Sequence, residues 1–387
     1  MKAAVSPVIE WVTPEQAEFY EQVCRFAGSL PDDVSARDRA ETFSREIWER
    51  CATFGIQGMP VPQELGGGGS DVVTTILGLE ALGYGCRDAG LVFSLNAHMW
   101  TSEIPVWMFG RPEQQERWLP CLCDGRAIGC HTITEPEAGS DAFAMRSTAR
   151  PVDGGFVVNG RKTFITNAPV ADLIIAFART GSGVGPYGIS AFLVEAGTPG
   201  CSVGPNMDKM GLRTSPMADV FFDDCFVPAE AMLGKPGQGG EIFQASMRWE
   251  RACIMASQVG AMRRTMEQCV RYARRRRQFG KPIGKFESVA DKVANTKIAV
   301  DASRALVLRV GWLMDRGRDA MVEAAVAKAF VSEASVRTHL DAVQIHGGYG
   351  YMTDSELERG IRDAVGGTIY SGTSEIQRRI IARGLGL

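Results

Sequence analysis

Apolar residues recur every three to four positions near the start of the chain, at Phe19, Val23, Phe26 and Ala27. That rhythm predicts a helix with one buried face. Thr13-Pro14-Glu15 precedes it as a start signal: a hydroxyl cap, a proline in the first turn and an acid. A second periodic stretch near 42–54 (Phe43, Ile47, Trp48, Cys51, Phe54) stops at Gly55. Residues 72–83 and 88–109 are apolar enough for two more core helices. The intervening Gly66-Gly67-Gly68-Gly69-Ser70-Asp71 has no strand before it and no Gly-Lys-Ser/Thr after it. It is therefore expected to be a connecting loop whose Ser70 or Asp71 caps the next helix, rather than a phosphate loop.

Near residue 126 the pattern changes. Short apolar, β-rich runs (156–160, 173–177, 189–194, 220–222) alternate with turn residues, the spacing expected of a β-sandwich or barrel. Asn159-Gly160 is expected to be a hairpin turn. After Gly237-Gln238-Gly239-Gly240, helical periodicity returns, with long stretches at 241–277, 286–316 and 319–345. The prediction is an α+β chain of three units: an all-α N-terminal domain (1–125), a middle β domain (126–240) and a C-terminal helical domain (241–387).

Composition removes several function classes. The 387 residues carry a net charge of −3, which gives no reason to expect a nucleic-acid partner. Met1 to Pro7 lacks an apolar core of signal-peptide length, and no run approaches the roughly eighteen apolar residues of a membrane span. A soluble, cytoplasmic protein is expected. The ten cysteines show no repeating framework, and the four histidines are neither paired at helical spacing nor near a Cys-x-x-Cys, so no metal site is expected.

Six segments carry more specific information: Thr134-Glu135-Pro136-Glu137-Ala138-Gly139-Ser140-Asp141, Phe164-Ile165-Thr166-Asn167, Lys209 to Ser215, Arg276-Arg277-Gln278-Phe279-Gly280-Lys281-Pro282, Gln344-Ile345-His346-Gly347-Gly348-Tyr349-Gly350 and the terminal Tyr370 to Arg378. In this order they resemble the acyl-CoA dehydrogenase family along essentially the whole chain. The resemblance implies a C-terminal four-helix bundle, FAD as cofactor and a homotetramer or dimer. It also implies FAD contacts from Thr134, Ser140, Phe164, Thr166, Arg276, Phe279, Gln344, Gly347, Gly348, Thr373 and Glu375. The chemistry agrees: fixed hydroxyl and amide donors suit a ring that gains electron density, an arginine fork suits a diphosphate, and glycines permit close backbone approach. Read without the family, Phe164 is a core aromatic, the arginine run 274–277 a solvated helix face and His346-Gly347-Gly348 a helix end.

The terminal segment departs from the family's commonest pattern. Many members carry a glutamate between the tyrosine and the glycine that removes the substrate α-proton; here the residue is Ser371. A neutral hydroxyl is too weak a base. Glu250 offers an alternative, because its neighbours on one helix face are Ser246, Met247, Cys253 and Ile254. A carboxylate on that stripe is partly desolvated and more basic. Some family members keep their base on this helix immediately before an arginine, as Glu250-Arg251 does here. The competing assignment is a buried structural ion pair with Arg248, Arg251 or a more distant arginine.

The resemblance then implies α,β-dehydrogenation of an acyl thioester, with Glu250 taking the proton and flavin N5 receiving the hydride. An electron-transfer flavoprotein or similar acceptor would follow. Substrate contacts are implied for Ser140, Arg248, Trp249, Arg251, Tyr370, Ser371 and Gly372. The segments 85–91, 164–172 and Trp249-Glu250 also resemble dehydrogenases of secondary metabolism that act on carrier-protein-tethered groups, prolyl among them. A flavin monooxygenase or oxidase on the same frame, and a member that binds without turnover, are the rival expectations.

Overall fold

The computed structural model describes residues 12–181, 183 and 185–387; the expectation about Met1 to Pro7 lies outside them. The N-terminal third is helical: α1 (Pro14–Gly28), α2 (Val34–Ala40), α3 (Arg45–Phe54), α4 (Val72–Gly85), α5 (Ala89–His98), α6 (Ile104–Phe109) and α7 (Pro112–Cys123). The start of α1 is a full capping box, Thr13 accepting from the Gln16 amide and the Gln16 side chain reaching back. Asp71 caps α4, as expected. The 88–109 run is not one regular helix, because α5 and α6 are joined by a π-helical turn over Met99–Glu103. Such turns often mark functional positions. Here Ser246 from the C-terminal third donates to the Trp100 carbonyl at 2.7 Å.

Eight strands follow: β1 (Gly129–Thr132), β2 (Thr148–Val152), β3 (Gly155–Thr166), β4 (Leu173–Arg179), β5 (Ile189–Glu195), β6 (Cys201–Val203), β7 (Met217–Pro228) and β8 (Met232–Leu233). They form one connected sheet in the order β6-β7-β3-β2-β4-β5-β8, with β1 parallel to β4. Strands β4 and β5 are buried on both faces. Leu173, Ile175 and Phe177 enter one core with α7, whereas Ile174, Ala176 and Ala178 enter a second. Two covered faces explain a continuous apolar run in place of alternation.

The expected hairpin at Asn159-Gly160 is wrong. Those residues lie inside β3, at a register shift against β7. Asn159 is tied across the sheet to Asp224, donating to its carboxylate at 3.0 Å and accepting its backbone N–H at 2.8 Å. A Cβ at Gly160 would meet Ser147 Oγ at 2.1 Å, so the glycine serves close packing. The reversal occurs earlier, between β2 and β3 at Asp153-Gly154, with Gly154 at φ 76°.

The remaining elements are α8 (Gly239–Cys253), α9 (Met255–Arg275), the short pair β9 (Arg277–Gln278) and β10 (Lys281–Pro282), α10 (Glu287–Met314), α11 (Met321–His346), α12 (Gly348–Tyr351), α13 (Leu357–Gly366) and α14 (Ser374–Gly384). The stretch expected as one helix over 241–277 is broken at Ile254, four residues past Glu250. Helices α9, α10 and α11 pack on one another, and α4 packs against α9 and α10. The α4–α9 crossing is close because glycines face it: a Cβ at Gly260 would meet the Glu80 carbonyl oxygen at 2.0 Å. Gly260→Ala is expected to push the helices apart and destabilise the protein by about 1–3 kcal/mol, measurable as a lower urea midpoint at unchanged slope.

Among the described residues no helix is long and apolar enough to cross a membrane, and no cluster of three or more metal-ligating side chains occurs. All ten cysteines are free thiols.

Candidate active site

The tail and α8 meet at Glu250. Its side chain comes off the stripe foreseen for it, with Ser246, Met247, Cys253 and Ile254 all buried, and the residue itself is only 7% exposed. Ser371 Oγ donates to Glu250 Oε1, while Glu250 Oε2 has no hydrogen-bond partner among the described residues. Burial raises the Glu250 carboxyl above its usual range; the Ser371 hydrogen bond and the nearby charges of Arg251 and Lys328 oppose that rise. Ser371 therefore touches the carboxylate that the sequence offers as the alternative base. A residue's absence at one position and its presence at another converge on one spot.

The backbone that presents Ser371 is held from several sides. Ser371 and Gly372 both have positive φ, 57° and 88°. Arg251 Nε donates to the Ser371 carbonyl at 3.2 Å. The Gln377 amide donates to the carbonyls of Ser371 and Gly372 at 3.1 and 2.8 Å, and Lys328 Nζ donates to that of Gly372 at 2.7 Å. Tyr370 accepts from the Gln258 amide at 2.8 Å and packs against Phe93 in a tilted pair, ring centroids 4.6 Å apart. Phe93, Tyr370 and Gln258 line a cavity of about 100 Å³ whose wall does not include Glu250. Of the remaining residues expected at the substrate, Trp249 stacks on Trp100 at 6.1 Å, Arg248 is exposed on α8 and Ser140 is exposed in the β1–β2 connection.

Thr134, Phe164 and Thr166 are brought together by β3. The Thr163 N–H donates to the Thr134 carbonyl at 3.0 Å. Beneath them lies a buried pair, Lys162 Nζ to Glu135 Oε1 at 2.8 Å. A second register shift between Lys162 and Ile165 puts Phe164 at φ 58° and turns its ring outward, 63% exposed. A bulky residue with positive φ inside a strand is an outlier, and outliers of this kind gather where a ligand is held. An outward aromatic face beside two part-buried threonines fits a flavin ring.

Arg276 caps α9 and lies over the Tyr349 ring at 5.6 Å. Phe279, at the tip between β9 and β10, is 91% exposed. Gln344 is exposed on the last turn of α11, and Gly347 caps that helix. A Cβ at Gly347 or Gly348 would meet no atom of this chain within 4 Å, which leaves open space for an approaching group. Thr373 caps α14, and Glu375 is exposed in its first turn. An arginine, an exposed aromatic and uncovered glycines suit the pyrophosphate and adenine of a dinucleotide.

Three polar groups of this region are not expected from the sequence: Lys328 and Gln377, both buried, and Gln258, half-buried. Lys328 had a signal, a lone lysine within Ala324-Ala325-Val326-Ala327-Lys328-Ala329. Gln258 and Gln377 had none, since a glutamine on an amphipathic helix is ordinarily solvated.

Models of the acyl-CoA dehydrogenase N-terminal, middle and C-terminal domains match residues 13–126, 130–225 and 237–386. The chain is 41% identical over 373 residues to an L-prolyl-[peptidyl-carrier protein] dehydrogenase from Serratia sp. (strain ATCC 39006), covering 96% of this chain and 97% of the relative. It is 38% identical over 352 residues to a short-chain-specific acyl-CoA dehydrogenase from Megasphaera elsdenii, covering 90% and 91%. Among solved structures, the prolyl acyl carrier protein oxidase AnaB superposes with a TM-score of 0.95 at 43% identity, covering 97% of this chain and all of that one. PigA with FAD and proline superposes with the same TM-score at 40% identity, covering 97% and 98%.

Proposed function

Because this chain belongs to the acyl-CoA dehydrogenase family, whose members oxidise acyl thioesters at the Cα–Cβ bond with FAD, we propose that Glu250 is its catalytic base. The observation that carries the assignment is the buried carboxylate with one oxygen held by Ser371 and the other unpartnered. FAD supplies the acceptor for the β-hydride. The chain's residues do the rest. Glu250 Oε2 takes the α-proton, and Ser371 Oγ holds the other carboxylate oxygen so that the free one keeps a fixed direction. Burial keeps water from levelling the carboxylate's basicity. Thr134, Ser140, Phe164 and Thr166 would hold the flavin, and Arg276, Phe279, Gln344, Gly347, Gly348, Thr373 and Glu375 its dinucleotide end. Arg251 acts on the substrate side through the Ser371 carbonyl that it fixes. Arg248, on the exposed face of α8, and Trp249 complete the substrate contacts.

The substrate is a short acyl or aminoacyl thioester on a carrier protein, with prolyl the leading case. Identity to prolyl-carrier-protein dehydrogenases, 41% in two curated relatives, exceeds the 36–38% to short-chain acyl-CoA dehydrogenases. The tilted Phe93–Tyr370 pair agrees with a short acyl group, because both rings narrow the cavity beside Ser371, the residue that follows Tyr370. Phe93→Ala should open that wall and shift preference toward longer acyl chains by about tenfold in kcat/KM, the scale of one or two methylene contacts, measured across a chain-length series. An electron-transfer flavoprotein or a similar acceptor reoxidises the flavin, and the exposed aromatic side chains of Phe279, Tyr349 and Tyr351 support a homo-oligomer, dimer or tetramer.

The test is anaerobic bleaching of the yellow flavin by prolyl-carrier protein, prolyl-CoA and butyryl-CoA in parallel. Bleaching by the carrier-linked prolyl group fastest is the expected result, and bleaching by butyryl-CoA alone would sink the carrier-protein reading. Rapid reoxidation of the bleached enzyme by air would identify it as an oxidase, the word that AnaB bears.

A further inference from the structure

Lys328 is fully buried within the small-residue stripe of α11. An ammonium removed from water needs partners that make the burial tolerable. Its Nζ donates to the Gly372 carbonyl at 2.7 Å and lies 5.9 Å from the centre of the Tyr370 ring. That carbonyl belongs to the left-handed Ser371-Gly372 turn. A non-glycine residue in this region costs about 1–2 kcal/mol, so the turn persists only where its surroundings hold it. Lys328 and Gln377 share that task at Gly372. The turn in turn places Ser371 Oγ on Glu250.

We propose that Lys328 is a positioning residue for proton abstraction: it pins the turn that orients Ser371 on Glu250, and its charge favours the carboxylate form of that base. The inference rests on Glu250 being the base. Charged groups facing Glu250 are Arg251 from α8 itself and Lys328 from α11. Those facing Lys328 are Glu250 and Arg251 from α8, Glu333 from α11 and Glu375 from α14. Burial lowers the Lys328 ammonium to about 8, with Glu250 opposing the fall. Lys328 therefore stays charged below that pH, where Glu250 must lose its proton to act.

The two contributions separate by substitution. Lys328→Gln removes the charge and keeps an N–H donor for Gly372; Lys328→Met removes both. In FAD-loaded enzyme, the rate of anaerobic flavin reduction should rise with pH, and its midpoint should move upward by about one unit in both variants, the effect of one nearby opposite charge. Below the midpoint that is a tenfold slower reaction. Only Lys328→Met should also lower the plateau at high pH. Gln377→Leu removes the other donor to Gly372 without changing charge, so it should lower the plateau and move the midpoint by much less than one unit. An unmoved midpoint in both Lys328 variants overturns the proposal. So does an upward midpoint shift of about one unit in Gln377→Leu, a result that needs no Lys328 variant to fold. Wild-type flavin reduction in Glu250→Gln would sink the base assignment instead, whatever the Lys328 variants do.

Discussion

Glu250→Gln will bind FAD at wild-type stoichiometry and fail to bleach on addition of thioester, with the rate of flavin reduction falling by about 10²–10⁴, the worth of a general base. Glutamine preserves the volume of the side chain and can still accept from Ser371 Oγ, so the loss isolates proton abstraction from packing. Ser371→Ala should behave differently. It removes a hydrogen bond that favours the charged carboxylate, so Glu250 rises further above the ordinary carboxylate range. The active form is the ionised one. The rate therefore climbs as pH rises through the elevated Glu250 value; in Ser371→Ala the climb moves to higher pH and the plateau falls, though less than in Glu250→Gln, because the carboxylate loses the bond that fixes its direction. The assignment fails if Ser371→Ala stops reduction and Glu250→Gln does not. Stopped-flow traces at several pH values give both answers.

Lys162→Met will cost about 3–5 kcal/mol of stability, because it leaves the Glu135 carboxylate buried without its cation. Lys162 is fully buried and Glu135 nearly so, at 2.8 Å. Glu135 also accepts backbone N–H groups from Arg146 at 2.6 Å and Ser147 at 3.0 Å, so the pair stitches β3 to the segment that follows Thr134. The variant should lose FAD as well as stability, since Thr134 and Phe164 flank the pair along the chain. A double variant, Lys162→Met with Glu135→Leu, should recover part of the lost stability, because it leaves no unpaired charge. Burial acts to raise Glu135, but Lys162 and the hydrogen bonds outweigh it and hold its folded value below the ordinary 4.5. The sign follows: this stabilisation is present above about pH 4.5 and is lost as the pH falls through the lower folded value. Urea titrations at pH 7 and pH 4 measure it; equal stability of wild type and Lys162→Met at pH 7 would remove the argument.

The order helix, sheet, helix was written in local periodicity, which needs only the burial of one face or two. Thr13 and Asp71 announced their caps, and Gly55 its helix end, through rules that act within four residues. The candidate base was also legible, because Glu250 sits on an apolar stripe and Ser371 occupies a position where the resembling family carries an acid. Local rules failed at Asn159-Gly160, a good turn signal overruled when β7 supplied Asp224 and Ser147 crowded the glycine. Taken alone they also make Phe164 a core aromatic, whereas the register shift between Lys162 and Ile165 turns it outward, as the family resemblance required. The burial of Lys328 against Gly372, forty-four residues away along the chain, was not in either segment, nor was the contact of Ser371 with Glu250 across one hundred and twenty-one. Such contacts depend on which helix faces are pressed together. A sequence specifies which faces are apolar, but only their packing decides which buried polar groups meet.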